Sequence, residues 1–362
     1  MLAYVASGAT ELTSIVERLD ALAQQLIPLI RSAQALADLA LHPDRVFKRA
    51  VPHVLLNALG HHDVEFDRFA LDMCGRALAH AMDEPPTVVA ERRWIMSLWG
   101  HPLQSPNAEE ERTVLGAPYD LLVDSREAAY GFTHLLFYVT DFGKRHRREF
   151  GRPVDEILRD AEALIVRCLD DEDYDLTAEL LMAWPELGEP WSATATFGFR
   201  VLAHAEDEAG VLPCSNLDAA RLQALQGDER RRYARAVSYH TEFVWGFLCA
   251  AALRDSMASP LIIGGHVFAE SASASRPTTA NHRQWRDVLA RCTPNELRGL
   301  APTLSEFAIM RALRSRDFRQ ADATRTEAQR LGPPRGAWQV TADRLLTVLE
   351  AGTRVRDSLQ SR

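Results

Sequence analysis

The sequence predicts an almost wholly α-helical protein, in which antiparallel helix pairs form either an α/α barrel or a curved helical solenoid. Apolar residues recur at spacings of three and four through most of the 362-residue chain, which is the period of one helix face. Glycine, proline and acidic turns separate these segments, and short connections make successive helices antiparallel neighbours. No comparable run of alternating residues predicts a sheet.

The first half of the chain divides into amphipathic segments with clear punctuation. Residues 12–41 are expected to form a helix or helix pair broken near Pro28, and the next helix is expected to stop at Gly60 because glycine accepts the left-handed conformation past a helix end. Residues 100–118 are expected to form a long loop. Further helices are predicted at 46–59, 64–82, from Pro85 to about 99, and at 125–142, 153–169, 174–187 and 191–206.

The second half contains the longest continuous helical pattern, residues 227–254, with Asp228 as its expected N-cap. Residues 260–268 form a short run that is compatible with a strand. The polar stretch 270–281 is expected to be a mobile surface loop. Four helices complete the prediction, at 283–291, 294–314, 317–331 and 336–359.

The length suits one large helical domain, 1–362, although the polar stretch 270–281 provides an alternative boundary. In that case the two units would cover residues 1–269 and 282–362. The oligomeric state is not predicted.

Composition argues against several classes of partner. The net charge of -9 disfavours binding to nucleic acid, which depends on a basic surface. The most apolar run, residues 243–253, is about half of the roughly 20 residues that cross a membrane, so no membrane association is expected. The N-terminus lacks a basic signal-peptide region. Five dispersed cysteines without a CxxC pair predict reduced thiols and a cytoplasmic location.

Familiar catalytic and cofactor signatures are absent: the chain has no GxGxxG, GxxxxGK[ST], HExxH or GxSxG motif. The cofactor therefore stays unknown. Two acidic segments, 61–67 (HHDVEFD) and 170–175 (DDEDYD), contain metal-compatible side chains, but their positions at helix starts favour capping. No metal site is predicted.

One helix, 125–142, carries the strongest candidate constellation. His134, Phe137, Tyr138 and Asp141 follow one another at i, i+3, i+4 and i+7 and therefore share a helix face. A histidine supported by a carboxylate can act as a general base, and a tyrosine can orient a substrate group. A core histidine with a helix-terminal aspartate is the competing structural interpretation.

A second helix, 227–254, places His240 among Tyr239, Glu242 and Trp245. If the two helices face each other, His134 and His240 would line one cavity, with the aromatic residues binding a small apolar or aromatic ligand. His134, Tyr138, Asp141 and His240 are then the catalytic candidates, and Phe137, Tyr239, Glu242 and Trp245 the ligand-binding ones. Two unrelated core histidines are the alternative.

Three phrases, THLLFYVTDFG, LLMAWPELG and YHTEFVWGFLCAAAL, resemble a poorly characterised family of helical proteins from actinobacteria, over about residues 130–255. The resemblance implies an origin and assigns no activity or catalytic residue. The functional expectation is a small-molecule binding protein or enzyme of specialised metabolism, with a central cavity between the two histidine-containing helices. The alternative is a noncatalytic helical-repeat adaptor that binds another protein. The sequence does not decide whether the chain is an enzyme.

Overall fold

The computed structural model describes residues 1–7, 13–79, 84–103, 115–145, 150–214, 217–253, 283–331 and 336–360. Within these residues the fold is all helical and contains no strand, which confirms the predicted class. A 3₁₀ turn at Pro43–Arg45 leads into α4. The helices are α1 (Leu2–Ala6), α2 (Thr13–Ile30), α3 (Ala33–Leu41), α4 (Val46–Ala58), α5 (Val64–Ala79), α6 (Pro86–Leu98), α7 (Arg126–Thr140), α8 (Val154–Asp170), α9 (Tyr174–Leu181), α10 (Ala183–Leu187), α11 (Ala193–Ala209), α12 (Ala219–Ala224), α13 (Gly227–Ala252), α14 (Arg283–Ala290), α15 (Pro294–Gly299), α16 (Ala301–Arg314), α17 (Phe318–Leu331) and α18 (Ala337–Gln360).

Serine caps explain several of the helix starts. The hydroxyls of Ser32, Ser125 and Ser192 each accept a hydrogen bond from the backbone N–H three residues later, so each satisfies a donor that has no partner within the helix. α13 begins differently from the prediction. Its N-cap is Gln226, and Asp228 lies inside the first turn, where its charge complements the helix dipole.

Three predicted helices end or break at other residues than expected. Pro28 lies inside α2, and the chain turns only at Arg31 and Ser32, because a proline disturbs the preceding turn more than the residues after it. The predicted helix 174–187 is interrupted at Met182, and 294–314 at Leu300. Two short helices, α1 and α12, were not predicted.

The short helix α9 lies at the centre of the packing that positions the candidate site. It contacts α7, α8, α11 and α13, and its residues from Leu176 to Leu181 are all buried. A helix surrounded in this way is expected to be apolar on every face. α9 departs from that expectation at Asp175 and Glu179, whose carboxylates lie one helical turn apart.

The N-terminal helix α1 covers part of α13. Tyr4, Val5 and Ala6 are buried, and Leu2 packs so closely on Gly246 that a Cβ built there would lie 3.5 Å from a Leu2 methyl carbon. Within the described residues, no helix is long and apolar enough to cross a membrane. The five cysteines all carry free thiols. The predicted strand 260–268, the predicted loop 270–281 and most of the loop 100–118 lie outside the described residues.

Candidate functional site

His134 lies on α7 and faces α9. Its Nε2 atom is 3.7 Å from Oε1 of Glu179, a side chain that is only 2% exposed. The neighbouring Thr133 hydroxyl donates to the other oxygen of the same carboxylate, Oε2, at 2.6 Å. One oxygen of Glu179 is therefore held by Thr133, and the other is presented to His134.

His240 lies on α13 and contacts the same helix, α9, at Asp175. Its Nδ1 atom is 2.8 Å from Oδ1 of Asp175, and the Tyr130 hydroxyl donates to Oδ2 of that carboxylate at 3.1 Å. Thr241 also hydrogen-bonds to Asp175. The arrangement repeats that of Glu179, because a hydroxyl of α7 fixes one carboxylate oxygen and leaves the other facing a histidine.

The two histidines converge, although 106 residues separate them in the sequence. One ligand atom each from Asp175, Glu179 and His240 lie within 4.8 Å of one another, and His134 contacts the same Glu179. We call His134, Asp175, Glu179 and His240 the four-residue cluster. It is open to solvent at both histidines, whose side chains are 40% and 57% exposed.

The carboxylates of the cluster favour positive charge on the imidazoles. Burial acts to lower the pKa of His134, but the Glu179 carboxylate, 3.7 Å away, outweighs burial and raises that pKa above the usual value. The hydrogen bond with Asp175 likewise raises the pKa of His240. Burial opposes ionisation of Asp175, yet its bonds to His240, Thr241 and Tyr130 give it a net lowered pKa. Imidazole beside carboxylate can bind a ligand's polar groups, transfer protons or hold a metal ion.

Two further predicted residues lie beside His134. The Tyr138 ring is 6.2 Å from the His134 ring and 5.6 Å from that of Trp94, and its hydroxyl hydrogen-bonds to Glu91. Burial and the Glu91 charge raise the pKa of Tyr138, so the phenol stays neutral. Phe137 is buried and stacks on Phe142 at 5.3 Å, with its ring 5.8 Å from that of His134.

Asp141 has a different environment from His134. It follows the last residue of α7 with φ of 52°, a left-handed conformation that costs free energy for a non-glycine residue. Its carboxylate accepts hydrogen bonds from the Tyr4 hydroxyl at 2.9 Å and from Trp94 Nε1 at 2.7 Å. These bonds hold the turn after α7 against α1 and α6, which is a structural role.

Of the remaining predicted residues, all on α13, Glu242 and Trp245 lie away from His240. Trp245 Nε1 donates to Glu206 at 2.7 Å, and Glu242 accepts the backbone N–H of Leu212. Both therefore face α11 and the chain just after it. Glu242 points away from His240 because residues two positions apart on a helix point in nearly opposite directions. Tyr239 is exposed beside His240. The spacing along the helix already places residues 242 and 245 on a different face from residue 240, so this difference could be predicted from the sequence.

Sequence reasoning missed the two carboxylates on which the histidines converge. The segment 170–175 was interpreted as a capping sequence, and Asp173 does cap α9 by accepting the Leu176 N–H. Asp170 and Asp171 form ion pairs with Arg311 and Arg314 of α16. The signal that could have identified the site was the spacing of Asp175 and Glu179, two carboxylates at i and i+4 in an otherwise apolar helix.

The second acidic segment, 61–67, contributes to several separate interactions. Asp63 caps α5 through the Phe66 N–H, and His61 Nε2 lies 2.8 Å from Asp20. Asp67 joins His53 of α4, with 2.7 Å between His53 Nε2 and Asp67 Oδ1. The predicted capping role is confirmed for Asp63.

A cavity of about 250 Å³ lies next to the four-residue cluster, between α7, α8 and α9. Arg126 connects the two, because it lines the cavity while bonding to the Tyr130 hydroxyl at 2.9 Å and to Asp173 at 2.7 Å. None of the sequence-predicted site residues lines this cavity. Its lining is formed by Tyr119, Arg126, Ala129, Leu164, Arg167, Cys168, Asp171, Asp173 and Leu176.

Comparison with known proteins identifies the family. A family model described as a domain of unknown function (DUF6895) matches residues 1–250. The chain belongs to this family. No curated protein and no solved structure matches the chain. The expected membership of a poorly characterised family is confirmed, and the DUF6895 region includes all eight predicted site residues and both carboxylates of α9.

Proposed function

We propose that this DUF6895 protein is a small-molecule binding protein or enzyme, and that its site is the four-residue cluster with the adjoining residues of α7. One observation carries the proposal: His134 and His240, from helices distant in sequence, meet the carboxylates of Glu179 and Asp175 on a buried helix. Burying such groups costs free energy, and a ligand is one way to compensate it.

The surroundings of the cluster suit a polar ligand with an apolar part. Exposed His134 and His240 offer hydrogen bonds, while Tyr138 and the exposed Tyr239 provide aromatic surface beside them. This revises the expected apolar or aromatic ligand toward one with a polar group. The enclosure of the site by a barrel or solenoid of helices, and a role in specialised metabolism, stay part of the proposal. Free thiols at all five cysteines favour a reducing compartment such as the cytoplasm.

A thermal-shift screen of the purified full-length protein tests the proposal. The probes are amino acids, organic acids, sugar phosphates and nucleosides, each in large excess. A compound that binds at a hundredfold excess over its Kd should raise the Tm by about 3 °C. We expect His134→Gln to lose that shift and the exposed-site variant His62→Gln to keep it. Shifts of equal size in His134→Gln and the unmodified protein would contradict the proposed site.

The alternative function, a noncatalytic adaptor, is favoured by one observation. Tyr239 and Phe243 lie one turn apart on α13 and are both largely exposed, as aromatic residues at protein interfaces often are before binding. An adaptor would lose its partner in Phe243→Ser and keep it in His134→Gln. Affinity capture with these two variants from cells that naturally contain the protein distinguishes the two functions.

A further inference from the structure

The four-residue cluster combines two nitrogen and two oxygen donors from three helices. Side chains of this kind on facing helices are a common way to build metal sites in helical proteins. Three of the donors, Asp175, Glu179 and His240, already lie within 4.8 Å of one another. Two ligand atoms bound tetrahedrally to one zinc ion at about 2.1 Å lie roughly 3.4 Å apart, so small side-chain rotations would complete the site.

The carboxylates are oriented in the manner of metal ligands. Tyr130 and Thr133 are neutral donors on α7, and each binds one oxygen of a carboxylate at 3.1 Å and 2.6 Å respectively. Hydrogen bonds of this kind around a metal fix the direction of the ligands and support affinity. The second oxygen of each carboxylate points toward a histidine, so the free donors converge.

The charge balance at Glu179 also favours a cation. Two other buried carboxylates are neutralised by arginine: Asp160 by Arg152 at 2.6 Å, and Asp170 by Arg311. In the described part of the chain, the ion pair of Glu179 is instead with His134. The nearby Arg126 is paired with Asp173. A buried carboxylate without a strong cationic partner is costly, and a metal ion would supply that partner.

We infer that Asp175, Glu179 and His240 bind a divalent transition-metal ion, with His134 next to the position left open. The mixed nitrogen and oxygen donors suit zinc, manganese, iron(II) or cobalt(II) better than calcium or magnesium, which prefer oxygen alone. Three protein ligands and one open position are the arrangement of catalytic zinc sites. The inference rests on the proposed function, since it specifies how the same site would hold a ligand's polar group.

A second group, His204, Glu208 and Asp287, provides an internal comparison. Its ion-pair distances from His204 Nε2 are 3.8 Å and 3.9 Å, and both carboxylates are exposed. Asp287 lies outside the DUF6895 region, whereas all members of the four-residue cluster lie inside it. His204→Gln is therefore a matched control for His240→Gln, because each removes one imidazole from a group of similar composition.

The test is calorimetric titration of zinc chloride into full-length protein that has been treated with a chelator and dialysed. The unmodified protein is expected to bind an equivalent of zinc that His240→Gln and Asp175→Asn lose and His204→Gln retains. Tyr130→Phe, which removes only a hydroxyl, should weaken binding about tenfold. His240 is exposed, so its variant is expected to fold, and circular dichroism of each variant checks helix content.

Two results overturn the inference: the absence of zinc binding in the unmodified protein, and zinc binding that His204→Gln removes while His240→Gln and Asp175→Asn do not. The outcome is separable from that of the proposed function. If the protein does not bind zinc but compounds still shift its Tm, only the metal inference is contradicted. If zinc binding depends on His240 but no compound gives a Tm shift that depends on His134, the metal site is supported and the proposed binding of an organic ligand is contradicted.

Discussion

Two of the regions in which histidine meets carboxylate differ in how many ring nitrogens of the histidine have partners and in how accessible the ring is. At the first, His53 is 0% exposed and lies between Arg31 and Asp67. Arg31 Nε can only donate, at 3.0 Å, so His53 Nδ1 accepts and Nε2 carries the hydrogen that it donates to Asp67. Asn57 and Trp99 donate to the same oxygen of Asp67, Oδ1, each at 2.6 Å.

The four-residue cluster contains the same chemical groups, but its histidines are less fully bonded. His134 and His240 each face one carboxylate and remain accessible to solvent. Burial and residue type are therefore weak guides to function when used alone. A histidine that is buried with both ring nitrogens bonded holds the fold together, whereas an exposed histidine with one bonded nitrogen is available to a ligand.

The largest expected effect is on the His53 region, which we call the saturated region because both ring nitrogens of His53 are bonded. We call the four-residue cluster the open region. His53→Ala leaves Asp67 and Arg31 without their shared partner and opens a cavity against Phe66, whose ring is 4.3 Å from that of His53. We expect a loss of about 3 kcal/mol in the free energy of unfolding, measured by urea denaturation. The exposed His62→Ala, nine residues away, should change stability by less than about 0.5 kcal/mol. Equal effects at the two positions would refute the structural role of His53.

A smaller effect is expected at the hydroxyl that holds the buried carboxylate of the open region. Thr133→Val preserves shape but removes the 2.6 Å hydrogen bond to Glu179. Hydrogen bonds to charged groups contribute about 1.5 kcal/mol or more, so a loss of that order is expected in urea denaturation. Thr133→Ser retains the hydroxyl and is the control. A Val variant as stable as the Ser variant would show that Glu179 does not depend on this donor.

The saturated region should also make stability depend on pH. Burial lowers the pKa of His53 below 6.5, so the unfolded chain binds more protons than the folded protein as the pH falls. Stability from the neutral histidine is complete above that value and is lost on acidification below it. Asp67 has a pKa lowered from 3.8 despite its partial burial, because of bonds from His53, Trp99 and Asn57, and it adds a further loss at lower pH.

The measurement is the free energy of unfolding between pH 7 and pH 5. His53 contributes a decrease toward pH 5 of up to about 1.4 kcal/mol per pH unit, the effect of one proton, whereas the raised pKa values of His134 and His240 act in the opposite direction. His53→Gln cannot take up that proton, so its stability should fall less, or rise more, toward pH 5 than that of the unmodified protein, whatever its absolute stability. A slope that is unchanged in this variant would assign the pH dependence to other groups.

The smallest expected effect is at the exposed histidine of the open region. His240→Gln removes a partner of Asp175, but the imidazole is 57% exposed and Asp175 keeps the hydrogen bond from Tyr130, so the loss to folding should be small. Stability should change by less than about 0.5 kcal/mol while binding at the site is lost. A loss comparable to that of His53→Ala would place His240 among the structural residues and remove the contrast between the two regions.

Much of the fold was accessible from local sequence. Helical periodicity and glycine or proline punctuation predicted α4, α7, α8, α11 and α16 to within a few residues or as part of a longer segment. The breaks at Met182 and Leu300 were not predicted, although Pro185 and Pro302 lie in the first turns of the helices that follow them and mark both positions in the sequence. α1 is too short to show a periodic pattern, and its position depends on packing against α13.

The sequence by itself determined the helical class, the facing of His134 and Tyr138 on α7, and the presence of polar side chains in apolar helices. It did not determine which of those groups would meet. Only the packing of α7 and α13 against α9 brought His134 and His240 to Glu179 and Asp175, and the same packing turned Asp141 toward Tyr4 and Trp94. Spacing along a helix fixes which face a residue occupies, whereas the partner on the opposite side depends on long-range contacts that no local pattern encodes.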